Sequence, residues 1–271
     1  MPLSIESMSF EYISAPNQRC KRFGHRYETN SYSQRGKEPD KKRRKVLGLG
    51  DSVINGGVLV DQKDVATSII SDETDVQMLN ISAGSWGPDN CAAYLKEYGL
   101  FDAEAIWLLV SSHDAFDVMD FQPVVGQSVS YPDKQYWCAW AELIDRYVWP
   151  RVEKRLGLGK QSVDPDQKVL NGIGIKKNGK EFNPGFDQIY EIAQNAGIPL
   201  YVCLHADKEE LQDGQYNEQG ELIIEWAKDK DLVFVKELEE GAEDSMYFDG
   251  IHFNAEGQRF EADLIKKYIN L

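Results

Sequence analysis

The sequence predicts an α/β fold, a parallel sheet covered by helices on both faces, and three observations carry that expectation. From residue 45 onward, short and continuously apolar runs alternate with helical segments, the pattern of strands buried on both sides. Most of the runs are flanked by Gly, Asn or Asp, so they stop where a turn can form. At 271 residues, 42% hydrophobic and 28% charged, the chain is long enough for one sizeable core and short for two. A single domain with an insertion is expected.

Five runs are read as the strands: Val46 to Leu49, Val76 to Leu79, Ala105 to Val110, Ile198 to Leu204 and Leu232 to Val235. Helices are expected near 63–72, 88–99, 185–196 and 216–229, the third closed by Asn195-Ala196-Gly197 in the manner of a C-cap. A last helix begins after Asn254 and places Phe260, Leu264, Ile265, Tyr268 and Ile269 on one face, which suits it to cover the sheet. Residues 1–44 are polar and irregular and are read as an arm packed on a domain that spans 45–271. The segment 120–183 is too long for an ordinary strand-to-helix connection, so it is read as an insertion. Within it, residues 133–156 look helical and carry Tyr136, Trp137, Trp140, Tyr147 and Trp149. The insertion leaves the sheet after the third strand, at the edge where ligands bind in a doubly wound sheet, and is expected to wall one side of that crevice.

Composition excludes some classes of function. The formal net charge of −15 disfavours a partner whose affinity rests on neutralising phosphates, so nucleic acid is not expected. The basic run Lys41 to Lys45 stands directly before a buried-looking strand and is read as its solvated lead-in. No stretch approaches the ~18 apolar residues of a membrane helix, and the first thirty residues lack the build of a signal peptide. A soluble protein, cytoplasmic by default, is expected. Cys20, Cys91, Cys138 and Cys203 are widely spaced and suggest neither a disulfide framework nor a zinc site.

The residues that carry chemistry stand at strand ends. The first run leads into Gly50-Asp51-Ser52, then Asn55-Gly56-Gly57 and a helix. A serine on such a turn exposes its hydroxyl at the crevice edge beside backbone N–H groups, although a helix-capping turn reads the same way. Near the C-terminus stands Asp249-Gly250-Ile251-His252. A carboxylate three residues before a histidine can hold one imidazole nitrogen and leave the other outward as a base, and the same spacing also serves a loop brace or half of a metal site. His205, at the end of the fourth run, is read as a rim or packing residue and is left outside the site.

Together these motifs resemble the GDSL/SGNH hydrolase superfamily. Asn80-Ile81-Ser82-Ala83-Gly84-Ser85-Trp86-Gly87 follows the second run, where the family has a glycine whose N–H donates to the oxyanion. Ser111-Ser112-His113-Asp114 follows the third, where the family usually has Gly-x-Asn-Asp with the Asn as a further donor. Thr29-Asn30-Ser31 and Arg35 look like the lead-in of some members, so the resemblance spans about 27–270 outside the insertion. It implies a flavodoxin-like three-layer sandwich with strand order 2-1-3-4-5 and a site at the strand C-termini. It also implies a Ser52, His252 and Asp249 triad, with an oxyanion hole from Ser52, Gly84 or Ser85, and His113 in place of the Asn. A neutral imidazole can donate one hydrogen bond, so the donor role can survive that replacement. The implied activity is hydrolysis of small acyl esters, carbohydrate deacetylation among them, with no metal or organic cofactor. An acyltransferase with the same triad, and a catalytically impaired carbohydrate-binding protein on the same fold, are the alternatives.

Overall fold

The computed structural model describes residues 2–128, 130–136, 138, 140, 141, 144, 148, 149, 152, 155, 175, 177 and 179–271. The chain begins with two antiparallel hairpins, β1 (Ser4–Ser7) with β2 (Glu11–Ser14) and β3 (Arg19–Arg22) with β4 (His25–Glu28). The parallel part follows as β5 (Arg44–Gly50), the one-turn α1 (Ser52–Asn55), α2 (Ala66–Glu73), β6 (Val76–Ser82), α3 (Pro88–Tyr98) and β7 (Ala105–Ser111). Beyond the insertion come α4 (Gly185–Ala196), β8 (Leu200–His205), α5 (Lys208–Asp213), α6 (Glu218–Asp229), β9 (Val233–Lys236), α7 (Glu237–Glu240) and α8 (Ala255–Ile269).

The central sheet is five-stranded and parallel, ordered β6-β5-β7-β8-β9. Numbered by the five apolar runs, that order is 2-1-3-4-5. All residues of β6 and β7 are buried, which is why β7 is apolar from 105 to 110, while β6 buries Gln77, Asn80 and Ser82 among its apolar residues. Successive side chains leave a strand on opposite faces and feed two cores. Leu47, Leu49, Ile81, Ile106 and Leu108 pack on one face with Cys91 and Tyr94 of α3 and with Phe186 and Ile189 of α4. Val46, Met78, Trp107 and Leu109 pack on the other with Ile69 and Ile70 of α2 and with Ala262 and Ile265 of α8. The result is the three-layer α/β/α sandwich.

Caps set the helix limits. Asn254 accepts from the N–H groups of Glu256 and Gly257 to start α8, and Gly197 closes α4 in the left-handed region. The helix expected near 63–72 is divided into a 3₁₀ turn over Gln62–Asp64 and α2, because Val65 between them is extended. α6 begins at Glu218 rather than 216, where the Asn217 side chain caps it.

The first 44 residues are more regular than their sequence suggests. Strands of four residues with one supported face carry too little apolar pattern to be legible, and Arg19-Cys20-Lys21-Arg22 reads as polar. Trp86 Nε1 donates to Tyr12 O at 2.8 Å, and Phe10 lies in the core. Arg35 is buried, and its guanidinium donates to the carbonyls of Asn55, of Gly57 at 2.7 Å and of Val60 at 3.0 Å, and to Gln62 Oε1 at 3.1 Å.

Half of the residues of the helix expected over 133–156, Trp137 and Tyr147 among them, lie outside the described residues. The described flanks of the insertion lie against the C-terminal end of the sheet, where Tyr131 OH donates to Gly84 O at 2.9 Å and Ile175 N–H to Ser85 Oγ at 2.8 Å. Among the described residues no helix is long and apolar enough to cross a membrane.

Candidate active site

The turn that carries Ser52 depends on the glycine before it. Gly50 ends β5 at φ +154°, and a Cβ there would stand 2.5 Å from the Leu109 carbonyl oxygen of the neighbouring strand. Only glycine lets the two backbones approach this closely. Asp51 then caps α1, its Oδ1 accepting from Val53 N–H at 2.8 Å, so the chain turns at the sheet edge and Ser52 opens the helix. Asn55 donates to Ser82 O and Oγ at 3.2 and 3.0 Å, and Asn80 donates to Ile54 O at 2.8 Å. These bonds fasten the serine turn to β6.

Asp249 and His252 come to Ser52 from the loop before α8. Asp249 Oδ1 accepts from the N–H groups of Ile251 at 3.0 Å and His252 at 2.8 Å, which folds the loop around the carboxylate. Its Oδ2 accepts from His252 Nδ1 at 2.8 Å, and His252 Nε2 lies 2.9 Å from Ser52 Oγ. A hydrogen on Nδ1, facing the carboxylate, leaves the Nε2 lone pair to accept the serine hydroxyl. Partial burial opposes ionisation of Asp249, but bonds from the His252 ring and from two backbone N–H groups hold its carboxyl well below the usual range. The carboxylate therefore stays charged beside the imidazole.

Gly84 and Ser85 follow β6, and Ser85 takes a left-handed φ of +56°. The Gly84 carbonyl accepts from Tyr12 OH at 3.0 Å and Tyr131 OH at 2.9 Å, so the arm and the insertion grip the same peptide. The C=O and N–H of a trans peptide point in opposite directions, so the Ser85 N–H is aimed away from both tyrosines. Among the described residues, neither the Gly84 nor the Ser85 N–H has a protein acceptor.

His113 lies on a 3₁₀ turn over Ser112–Ala115, directly after β7. Its Nε2 stands 3.8 Å from Asp51 Oδ2 and 3.9 Å from Asp117 Oδ2, and its side chain is 41% exposed. Those distances exceed a hydrogen bond, so a hydrogen on Nε2 is committed to neither carboxylate. Burial pushes the Asp117 carboxyl up to about 7 against the pull of His113, and burial with the Asp51 charge raises Asp114 well above its usual value. Ligand atoms that a metal ion could use are grouped in His113, Asp114 and Asp117, and again in Cys203, Glu237 and Glu261.

The structure thus brings Ser52, Asp249 and His252 into one hydrogen-bonded chain, and puts His113 beside the serine turn through Asp51. Sequence reading missed Tyr12 and Tyr131, since a single tyrosine in an arm or an insertion carries no local signal of what it will touch.

No protein-family model and no curated protein matches the sequence. Among solved structures, the chain is similar to a protein assigned to the GDSL-like lipases of Bacteroides ovatus, with 15% identity, a TM-score of 0.46, and coverage of 91% of this chain and 57% of that one. It is similar to a protein assigned to the lipolytic G-D-S-L family from Desulfitobacterium hafniense, with 8% identity, a TM-score of 0.43, and coverage of 81% and 99%. A family two carbohydrate esterase from Clostridium thermocellum, in complex with cellohexaose, is similar at 12% identity with a TM-score of 0.42, over 84% of this chain and 65% of that one. The chain therefore spans less than two thirds of the length of the first and third of these proteins.

Proposed function

We propose that the chain is a serine-dependent hydrolase of small acyl esters, of the GDSL/SGNH type that its motifs resemble. One observation carries the reading: Ser52 Oγ, the His252 ring and the Asp249 carboxylate form a continuous chain with links of 2.9 and 2.8 Å. Ser52 attacks the acyl carbon while its proton passes to His252 Nε2, and the imidazolium is stabilised by Asp249. The proton then goes to the leaving alkoxide. Water, deprotonated by His252, releases the acid and restores the serine. The N–H of Ser52, the N–H of Gly84 or Ser85, and His113 Nε2–H are the donors for the tetrahedral oxyanion. Acyl groups on carbohydrates are the favoured class, since the acidic chain has no long apolar stretch suited to a lipid interface.

An active-site-directed fluorophosphonate should label the wild type and not Ser52→Ala, and the variant should lose ester hydrolysis by roughly 10⁶-fold, to background. Equal labelling of both refutes the serine assignment. No labelling of the wild type leaves a binding protein on this fold. Products formed with a sugar acceptor in excess separate a hydrolase from an acyltransferase with the same triad.

A further inference from the structure

His205 ends β8 with a fully buried side chain whose two ring nitrogens are both engaged. Nδ1 is 2.7 Å from Glu237 Oε2, and Nε2 is 2.7 Å from the Ile251 carbonyl oxygen. A carbonyl can only accept, and so can a carboxylate that also takes the Ala206 N–H at 3.2 Å, so the ring satisfies both partners when it carries a hydrogen on each nitrogen. Phe253 meets the ring edge-on at 4.6 Å between centroids and Tyr247 lies at 5.6 Å, so its orientation is locked.

The bond to Ile251 has a particular place in the loop. The Ile251 carbonyl and the His252 N–H belong to one peptide unit. Its N–H end is held by Asp249 Oδ1 at 2.8 Å and its C=O end by His205 at 2.7 Å. A plane held at both ends cannot rotate, and that plane sets the direction in which the His252 side chain leaves the backbone. We infer that His205 is a positioning residue for the base: a buried ring, bonded through both nitrogens, that fixes, through the Ile251 carbonyl, the peptide from which His252 meets Ser52. The inference rests on the proposed triad for its kinetic consequence, but the clamp itself does not.

The surroundings suit a buried cation. Burial alone would discharge the ring, but the Glu237 carboxylate beside it and the two hydrogen bonds hold it charged, up to about 9. Glu261, on α8, keeps its proton up to about 8 because it is buried and faces Glu237, and it accepts from Trp107 Nε1 at 2.6 Å.

Nitrogen-resolved NMR of the wild type at pH 7 should show His205 with both ring nitrogens protonated, and a low-field proton on His252 Nδ1. In His205→Leu, which keeps apolar volume but donates nothing, that low-field signal should broaden or vanish. kcat for a small acetate ester should fall about 10²-fold with little change in KM, the size of effect that misplacing a catalytic group produces. His205→Gln, whose amide can still reach the Ile251 carbonyl, should restore part of the rate and of the His252 signal. A singly protonated His205 in the wild type overturns the inference. So does a folded His205→Leu protein with unchanged kcat and an unchanged His252 signal. If His205→Leu does not fold, the Gln variant and the wild-type spectrum decide. A wild type that neither hydrolyses esters nor takes the fluorophosphonate defeats the proposed activity, while the dependence of the His252 signal on His205 still tests the clamp.

Discussion

Replacing Tyr12 and Tyr131 by Phe removes the two hydroxyls that hold the Gly84 carbonyl, at 3.0 and 2.9 Å, and leaves both rings in place. The rings pack edge to face at 4.7 Å between centroids, so the apolar contact survives the change. A neutral hydrogen bond is worth about 1 kcal/mol net, and either single variant leaves the carbonyl one donor. Each should therefore lower kcat by about fivefold if the Ser85 N–H, the other end of that peptide, serves the oxyanion. The double variant leaves a partly buried carbonyl without a donor, which costs about 1–3 kcal/mol, and it frees the peptide to turn. Its kcat should drop by more than the product of the singles, toward the ~10²-fold loss of an oxyanion donor, with KM nearly unchanged. Steady-state hydrolysis of 4-nitrophenyl acetate, with urea unfolding of all four proteins, measures both quantities. A double variant that loses stability but keeps wild-type kcat refutes the assignment of this peptide to the oxyanion hole.

His113→Ala should lower kcat by ~10²–10³, about 3 kcal/mol of transition-state stabilisation, with KM little changed, and His113→Asn should recover part of the loss. An alanine variant of full activity removes His113 from the mechanism. Gly50→Ala puts a Cβ 2.5 Å from the Leu109 carbonyl at a left-handed φ, so urea unfolding should show a loss of about 2–4 kcal/mol. An unchanged midpoint contradicts the close strand approach. His205 is raised from 6.5 to about 9 and Glu261 from 4.5 to about 8, so in both cases the folded protein binds the proton more tightly than the unfolded chain. The stability from His205 is complete below pH 6.5 and is lost as pH rises through about 9, and Glu261 acts in the same direction between 4.5 and about 8. The urea midpoint should fall from pH 7 to pH 9, more steeply in the wild type than in His205→Leu, and a midpoint that rises contradicts the protonation scheme.

The sheet was legible because a strand buried on both faces is mostly apolar, and residues 105–110 keep that pattern without interruption, whereas Val76–Ser82 also buries Gln77, Asn80 and Ser82. The Asp249 and His252 pair was legible from spacing, since three residues on a loop let the carboxylate reach both the ring and the backbone. The meeting of Ser52 with His252 was not, because the two are 200 residues apart and only the strand order brings them together. Resemblance supplied it. The arm hairpins escaped notice because their pairing is local but their burial comes from the domain, as at Tyr12. In the sequence His205 reads as a rim or packing residue because its partners, Glu237 and Ile251, lie 32 and 46 positions away, and no local pattern marks a ring that bonds to both.

Arg35 makes the arm indispensable to the serine turn in a way that sheet topology hides. Its guanidinium is the donor to three backbone carbonyls, of Asn55, Gly57 and Val60, in the stretch that follows Ser52. A chain beginning at residue 45 would keep the strand segments of the central sheet together with Ser52, Asp249, His252 and His113, yet those three carbonyls would lose the donor that holds them in place. The segment before the sheet works as an internal solvent for the Ser52 turn, supplying the hydrogen bonds that bulk water supplies to an exposed loop.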